Sequence, residues 1–310
     1  MELDSVVRIG TRGSDLALAQ AHELKRRLLD ANPGRGLEIA IVVISPTGDR
    51  VLDRPLSEIG GKGLFTQEIE AQLLDGSIDM AVHSSKDMPT QLPEGLELSA
   101  FLPRERVADA FVSRSFPSLA ELPRAAVVGS ASLRRQALIR RIRPDLSVVT
   151  FRGIVNPGLR KLDAGGVTAT LPAGAGRPCL GFEEHITELM PIDEFPPAPG
   201  QGAICVETRI GDAATGALLA GVNHADTADA LACERAFLAA LDGSCRTPIA
   251  GHARSDGERI TFHGMILRPD GTQWHETRVE GSRDDAVALG RDAARIVREA
   301  AGERFFEGWA

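Results

Sequence analysis

Residues 78–89 read IDMAVHSSKDMP, and in this stretch an apolar run stands directly before a polar cluster. Ile78 to Val82 predicts a strand, and ligands of open α/β sheets bind beyond the carboxyl ends of strands, so the run from His83 to Asp87 lies where a site is expected. A carboxylate next to a lysine stays ionised, so Asp87 could accept hydrogen bonds from N–H groups or stabilise a developing cation. The alternative is an ordinary surface turn before Pro89.

Strand-like and helix-like runs alternate on both sides of this stretch. Ser14 is a suitable N-cap for a helix in which Ala17, Ala21, Leu24 and Leu28 recur on one face. Such alternation predicts βαβ units with parallel sheets. The other predicted elements are strands at Val6 to Ile9, Leu37 to Ile44 (buried on both faces), Ala126 to Val128, Leu146 to Phe151 and Val167 to Leu171, and helices marked by Phe65, Ile69 and Leu73, by Leu133 to Ile142 and by Leu159 to Asp163.

The last part of the chain has a different pattern. From Asp226 a helix with one leucine-rich face precedes the loop GSCRTPIAG, two alternating segments follow at Ile260 to Leu267 and Thr272 to Val279, and a closing helix is predicted near Asp284 to Ala301. We therefore predict an α/β protein with two α/β domains and a small α+β C-terminal domain. The predicted domains are 1–102 with 203–221, in which Ala203 to Thr208 returns to the first sheet, 103–202 with a Pro- and Gly-rich hinge at 191–202, and 222–310.

Composition excludes several classes of function. The net charge is −8, aromatic residues make up 4% of the chain and there is no Tyr, which argues against a nucleic-acid binder. The longest apolar run, Ile39 to Ile44, is too short to span a membrane. No signal peptide is visible after Met1, so we expect a cytoplasmic protein. The cysteines show no C-x-x-C pair, so we expect neither a metal site nor structural disulfides.

A second polar cluster, Ser130 to Arg135, also follows a predicted strand. Hydroxyls, N–H groups at a helix N-terminus and arginines together suit carboxylates or phosphates. Arg12 and Ser14 repeat this arrangement at the first strand-to-helix transition, so the two α/β units predict a cleft for an elongated anionic ligand. We interpret the following arginines as a solvated helix face: Arg140, Arg141 and Arg143.

Cys245 lies in a Gly-Ser-Cys-Arg loop, whereas Cys233 falls within a helical pattern. Arg246 beside it could lower the pKa of the thiol, so Cys245 could act as a nucleophile or a covalent anchor. The alternative is a small buried cysteine of the core.

Seven segments together resemble the porphobilinogen deaminase (hydroxymethylbilane synthase) family, in family order and at family spacing. They are RIGTRGSDLALAQA, GGKGLFTQEIE, DMAVHSSKDMPT, RERVADAFV, VGSASLRRQ, PGQGA and LDGSCRTPI. The resemblance extends over nearly the whole chain, with a looser match in the C-terminal 60 residues. It implies two domains built like a periplasmic binding protein around a cleft and a third domain that carries the cysteine loop.

The resemblance also implies an activity and a set of roles. A transferase of tetrapyrrole and heme biosynthesis joins four porphobilinogen molecules head to tail with loss of ammonia, primed on a dipyrromethane cofactor held by a thioether to Cys245. Asp87 would be the catalytic carboxylate, and we expect a monomer without nucleic-acid or membrane partners. The implied cofactor-binding residues are Ser84, Lys86, Asp87, Ser130, Ser132, Arg134, Arg135 and Cys245, and the implied substrate-binding residues are Arg12, Ser14, Gln20, Lys62 and Arg152.

One region departs from the family. Where the family usually has R-G-N-x-x-T-R-L, residues 152–159 read RGIVNPGL, with Ile154 and Pro157 in the altered segment and Gly158 in place of the second arginine. Cys179 likewise stands where an arginine is expected. Arg160 or Arg177 could compensate. Two alternatives therefore stay open: a homologue that binds pyrroles or the cofactor but elongates poorly, and a two-lobed solute-binding protein without covalent chemistry.

Overall fold

The computed structural model describes residues 6–45, 66–151, 162, 165–172, 183–243, 247–307 and 309. Within these residues, no helix combines the length and apolar character needed to cross a membrane. In chain order the elements are β1 (Val7–Arg12), α1 (Asp15–Ala31), β2 (Ile39–Ile44), α2 (Gln67–Leu74), β3 (Met80–Ser84), β4 (Leu96–Phe101), β5 (Ala110–Ser113), β6 (Val127–Gly129), α3 (Leu133–Ile142), β7 (Ser147–Val149), β8 (Ala169–Thr170), β9 (Glu188–Leu189), β10 (Ile204–Arg209), α4 (Ala213–Leu219), α5 (Ala225–Ala240), β11 (Ile249–Ser255), β12 (Arg259–Leu267), β13 (Trp274–Ser282) and α6 (Ala286–Ala301). Short 3₁₀ turns span Ser85–Asp87, Glu183–His185, Arg283–Asp285 and Glu303–Phe306.

The first of two compact units comprises Met1–Arg104 and Ala203–Ala228. Its five-stranded sheet has the order β2-β1-β3-β10-β4. One face packs Ile9 and Met80 against Leu24 of α1, and the other packs Ile78 against Ile69 of α2. The sheet is mixed rather than all parallel, because β10 runs antiparallel to both of its neighbours. The predicted return of a strand at 203–208 to this sheet is confirmed.

The expectation that the strand at Leu37 to Ile44 is buried on both faces is wrong. Among the strands that the structure describes, β2 pairs with β1 alone and lies at the edge of the sheet, and Val43 is 56% exposed. A continuous apolar run does not distinguish an edge strand from a central one, because the neighbours that cover it come from distant parts of the sequence.

The second compact unit comprises Glu105–Gly202 and Asp229–Ala310 and contains two sheets. The first has the order β7-β6-β8-β5-β9, and the other is an antiparallel sheet of order β11-β12-β13. Phe262 of the antiparallel sheet packs on Phe237 of α5 with ring centroids 4.9 Å apart. On the opposite face, Met265 joins the core that contains Leu138 of α3. The two sheets of this unit therefore share a hydrophobic core, and the division of the chain into three domains stays a prediction.

The Pro- and Gly-rich segment at 191–202 is packed against neighbouring elements, and its role as a hinge stays a prediction. Phe195 is fully buried, the carbonyl of Pro196 accepts a hydrogen bond from Arg134, and the N–H of Gly200 donates to Glu234. Glycine is required here by the backbone conformation and by close packing. Gly202 has φ +80°, and a Cβ at that position would lie 2.8 Å from the carbonyl oxygen of Glu105.

The interpretation of the α3 arginines as a solvated face is also wrong. Arg140 donates to the carbonyl of Pro269 at 2.7 Å. The guanidinium carbon of Arg141 lies 4.6 Å from the ring centroid of Trp274. Arg143, the C-cap of α3, donates to three backbone carbonyls, those of residues 119, 120 and 122. These cations bind partners that are distant in sequence, so local charge density did not reveal them.

Candidate active site

Two strand ends form one edge of the first unit. β1 and β3 are parallel neighbours, with Ile9 opposite Met80 and Gly10 opposite Ala81. Their carboxyl ends therefore lie side by side, which brings Arg12, the last residue of β1, close to the polar cluster that follows β3. The sequence predicted polar residues after each of these two strands separately, and the parallel pairing of β1 with β3 brings them together.

A small pocket of about 50 Å³ lies at this edge. It has room for a few water molecules or one carboxylate group. Gln20 of α1 reaches across it, because its Nε2 donates to the hydroxyl of Ser84 at 2.7 Å. The pocket is lined by Arg12, Ser14, Leu16, Ala17, Gln20, Thr66, Val82, His83, Ser84, Asp87 and Met88.

Ser14 has a structural task as well. As predicted, it is the N-cap of α1, and its hydroxyl oxygen accepts a hydrogen bond from the N–H of Ala17 at 3.3 Å. The hydroxyl hydrogen is left to donate, so a ligand carboxylate at this edge meets an O–H donor in addition to the arginine.

Asp87 is exposed at the end of the 3₁₀ turn Ser85–Asp87. The turn is fixed to the sheet, because the N–H of Ser85 donates to the carbonyl of Ala203 at 2.9 Å and the N–H of Met88 donates back to Ser85. A short turn that is bonded to the sheet at its start and closed by its own hydrogen bond holds the carboxylate in the pocket wall. Lys86 lies in the same turn and is half-buried.

The second predicted anion site follows β6 in the other unit. Ser132 is the N-cap of α3, and its hydroxyl accepts from the N–H of Arg135 at 3.4 Å. The hydroxyl of Ser130 accepts from the N–H of Ser132, and Gln136 donates to the carbonyl of Ser130. The local structure is the strand-to-helix transition that the sequence predicted.

Arg134 and Arg135 are buried and share one carboxylate. Oδ2 of Asp109 lies 2.7 Å from Nη2 of Arg134, and Oδ1 lies 2.7 Å from Nη2 of Arg135. Gln201 donates to the same Oδ1 at 3.0 Å and accepts from Arg134. Burial raises the pKa of Asp109, but the charges and hydrogen bonds of the two arginines hold it at about 2.

Sequence reasoning missed Asp109. The residue is visible within RERVADAFV, but nothing in its local pattern shows that two arginines about 25 positions later would enclose it. Among the described residues, two cations face one anion in this buried cluster, and Nε of Arg134 is buried there without a hydrogen-bond partner. An unsatisfied donor in a positively charged cluster fits an anionic group such as a cofactor carboxylate.

Several predicted site residues fall outside the described ranges. These are Lys62, Arg152 and Cys245, together with the departures at Ile154, Pro157, Gly158 and Cys179 and the possible compensating residues Arg160 and Arg177. The described part of the chain contains no group of three or more His, Cys, Asp or Glu residues that could hold a metal ion.

The described cysteines are poor nucleophiles. Cys205 of β10 and Cys233 of α5 are both buried. Burial and the neighbouring charge of Glu234 raise the pKa of Cys233 to about 12, so its thiolate is scarce at neutral pH. Gly243 is closely packed, since a Cβ at that position would clash with the side chains of Ile249 and Leu238.

Comparison with known proteins finds matches to one protein family. The model of the porphobilinogen deaminase dipyromethane cofactor binding domain matches residues 7–217, and the model of the C-terminal domain of porphobilinogen deaminase matches residues 228–298. A porphobilinogen deaminase from Nitrobacter hamburgensis is 55% identical over 305 residues, which cover 98% of this chain and 96% of the relative. The chain belongs to the porphobilinogen deaminase family.

Membership confirms the resemblance drawn from the seven motifs. It also confirms the predicted class of enzyme, a transferase of tetrapyrrole biosynthesis with a dipyrromethane cofactor. The α/β fold class is confirmed, with two mixed five-stranded sheets and a small antiparallel C-terminal sheet.

Similar solved structures include solute-binding proteins. A nutrient-binding protein from Burkholderia cenocepacia bound to methionine has a TM-score of 0.43 at 13% identity and covers 70% of this chain and 91% of its own. A periplasmic substrate-binding protein of an ABC transporter from Coxiella burnetii has a TM-score of 0.43 at 15% identity and covers 70% of this chain and 92% of its own.

Proposed function

We propose that this chain is a monomeric, cytoplasmic hydroxymethylbilane synthase. It condenses four porphobilinogen molecules head to tail, releasing one ammonia for each, on a dipyrromethane joined by a thioether to Cys245. The observation that carries the proposal is the pocket at the β1 and β3 ends. There one carboxylate, Asp87, lies among side chains that can donate hydrogen bonds, namely Arg12, Ser14, Gln20 and Ser84.

The donor set fits a pyrrole that carries acidic side chains. Porphobilinogen has two carboxylates and a ring N–H, so it needs donors for the first and an acceptor for the second. Arg12 and the hydroxyls of Ser14 and Ser84 bind a carboxylate, while Asp87 accepts from ring N–H groups. The bound dipyrromethane supplies the pyrrole to which the first substrate is joined.

The role of Asp87 is to stabilise the positive charge that develops during the reaction. When porphobilinogen loses ammonia, positive charge develops on its pyrrole ring, and the attacking ring becomes positively charged in turn. A fixed carboxylate stabilises both cations through the ring N–H groups, because it is held in place before the charge appears. The anchored turn at Ser85–Asp87 provides this fixed position.

The remaining carboxylates of the growing chain require further cations. We assign Lys86, Ser130, Ser132, Arg134 and Arg135 to the cofactor side, supported by the unsatisfied Nε of Arg134. Lys62 and Arg152 complete the substrate side by family resemblance.

Intact-protein mass and product analysis test the proposal. Purified protein should be heavier than its sequence by two pyrrole units, and porphobilinogen should be converted to a linear tetrapyrrole. Protein of sequence mass with no consumption of porphobilinogen would overturn the proposal.

A second candidate rests on the altered segment. Gly158 and Cys179 replace arginines of the substrate-binding set, which favours a deaminase that holds the cofactor but elongates slowly. Such a protein would carry the cofactor but convert porphobilinogen slowly. The intact-protein mass and the product analysis therefore distinguish the two candidates.

A further inference from the structure

A second and larger pocket, of about 390 Å³, lies on one face of the β11-β12-β13 sheet. Its lining residues come from the three strands and from Ile192 and Asp193 of the segment at 191–202, and all of them belong to the second compact unit. Cavities of roughly 300–1,000 Å³ are typical of small-molecule sites. This pocket therefore has room for a small organic molecule.

Strand register determines which side chains face the pocket. His252 of β11 lies opposite His263 of β12, and His263 lies opposite Arg278 of β13. Two residues along the first two strands, Arg254 lies opposite Thr261. Side chains alternate between the faces of a strand, so these five residues share one face. The opposite face packs against α5 and α6 in a hydrophobic core, so the polar face is not needed to close that core.

The acidic groups at the pocket have partners, but one of its arginines does not. Nη1 of Arg278 lies 3.0 Å from Oδ1 of Asp193, and Glu280 pairs with Arg259 at 3.0 Å. Within the described residues, Arg254 forms no ion pair. An anion in the pocket therefore meets a cation that no described carboxylate neutralises.

Asp193 shows that a carboxylate is stable at the mouth of this pocket. Its pKa lies below the usual range, chiefly because Arg278 donates a hydrogen bond to it and also because of the charges of Arg278, His263 and Arg254. Both side chains of the Arg278–Asp193 pair are largely exposed, at 60% and 77%. Such an exposed pair is weak, so a ligand carboxylate can compete with Asp193 for Arg278.

The two arginines are placed for two acidic groups rather than one. Arg254 and Arg278 lie on the outer strands β11 and β13, with β12 between them. Neighbouring strands are about 4.8 Å apart, so the backbones that carry the two cations are about 10 Å apart across the sheet. A guanidinium binds one carboxylate through two parallel hydrogen bonds. A molecule with two carboxylates can therefore engage both arginines at once.

We propose that this pocket binds a small organic dicarboxylate, with one acidic group on Arg278 in place of Asp193 and the other on Arg254. Thr261 of the central strand lies between them and offers a hydroxyl donor. The proposal goes beyond the synthase activity and does not depend on it. Acidic pyrroles such as porphobilinogen and free aliphatic dicarboxylates share the chemistry that the pocket recognises.

Titration of the full-length protein with succinate, followed by NMR, tests the proposal. The imidazole signals of His252 and His263, assigned with glutamine variants, should shift saturably at constant pH and ionic strength, while the signal of His22 in α1 should not. Acetate has one acidic group and should bind at least roughly tenfold more weakly, because one charge-assisted hydrogen bond is lost. Acetate as strong as succinate, or inorganic phosphate stronger than succinate, would contradict a dicarboxylate site.

Charge variants separate a site from general electrostatic attraction. Arg254→Gln and Arg278→Gln should each weaken succinate binding roughly tenfold to a hundredfold, whereas Arg295→Gln, an equal charge change on the exposed face of α6, should leave it near the wild-type value. Asp193→Asn should strengthen binding roughly two- to fivefold, because it removes the competing carboxylate. Asp292→Asn in α6 is its matched control and should have no such effect. Equal effects of the two asparagine variants would overturn the site.

Titration with porphobilinogen distinguishes the two sources of the ligand. Loaded Asp87→Ala protein is used, because it should consume porphobilinogen only slowly. Shifts of His252 and His263 at lower concentrations than succinate requires would identify an acidic pyrrole as the ligand, and shifts only at higher concentrations would identify a free dicarboxylate. No shift with either compound would overturn the proposal. That result would leave the proposed synthase activity intact, because the pocket contains none of the residues assigned to it.

Discussion

Oδ2 of Asp109 lies 2.7 Å from Nη2 of Arg134, and the other oxygen of the same carboxylate holds Arg135. All three side chains are nearly or fully buried. Desolvation makes such a cluster costly to break, because removing the anion leaves two buried cations without a partner. The geometry of two residues assigned to the cofactor therefore depends on this buried aspartate.

Replacing this carboxylate should be strongly destabilising. Asp109→Asn should cost about 3–5 kcal/mol in the free energy of unfolding, measured by urea denaturation at pH 7. Asp193→Asn is the matched control, since Asp193 pairs with Arg278 at 3.0 Å on the surface and should cost at most about 1 kcal/mol. Equal effects of the two variants would mean that burial adds nothing to the Asp109 cluster.

The ion pairs of Asp109 with Arg134 and Arg135 also predict that the free energy of unfolding depends on pH. The pKa of Asp109 falls from 3.8 to about 2 on folding, so its contribution is fully present above pH 4 and is lost as the pH falls towards 2. The shift corresponds to about 2 kcal/mol. The stability difference between wild type and Asp109→Asn should therefore narrow below pH 4, and a constant difference down to pH 2 would contradict the assignment.

The sequence identified those parts of the site that local pattern determines. Ser14 and Ser132 stand at strand-to-helix transitions, and the structure makes both of them N-caps. The polar run after β3 was placed correctly because strand ends and turns have local signals. Asp109 was missed because its partners Arg134 and Arg135 come from another element, and neither distance nor burial has a local signature.

Asp87 gives the most direct test of the proposed chemistry. Asp87→Ala should lower turnover roughly 10²- to 10³-fold, because the fixed charge that stabilises the pyrrole cation is removed. The side chain is exposed, so the melting temperature should stay near that of the wild type. Asp87→Glu should retain part of the activity, since the carboxylate survives in a displaced position. Near-normal turnover in the alanine variant would make Asp87 an ordinary turn residue.

Cofactor attachment should depend on Cys245 alone. Cys245→Ala should yield protein without the added mass of two pyrrole units, whereas alanine variants of Cys179, Cys205 and Cys233 should stay loaded. The thiol of Cys233, whose pKa is raised to about 12, is unsuited to form the thioether. Intact-protein mass spectrometry decides the matter, and a pyrrole adduct mapped to another cysteine would contradict the prediction.

Close contact between α5 and α6 should make Gly290 irreplaceable. A Cβ at this position would lie 2.2 Å from the carbonyl oxygen of Cys233, which is backbone and cannot move aside without shifting a helix. Gly290→Ala should therefore cost about 1–3 kcal/mol by overpacking. Gly216→Ala in α4 is the control: no described residue has an atom within 4 Å of a Cβ added there, and the substitution should be neutral or stabilising by up to about 1 kcal/mol.

The substitutions at Gly158 and Cys179 should affect elongation more than loading. Each removes a charged donor that the family places on the substrate side, and a charge-assisted hydrogen bond contributes about 1.5–3 kcal/mol, so turnover should fall about tenfold to a hundredfold for each. The assigned cofactor anchors Lys86, Ser132, Arg134 and Arg135 are all present. We therefore expect a loaded protein that turns over slowly and accumulates partly elongated chains, visible as a series of masses separated by one pyrrole unit.

The double variant Gly158→Arg with Cys179→Arg should raise turnover and reduce this ladder of masses. Wild-type protein with ordinary family turnover and no ladder would show instead that Arg160, Arg177 or another cation supplies the missing charge.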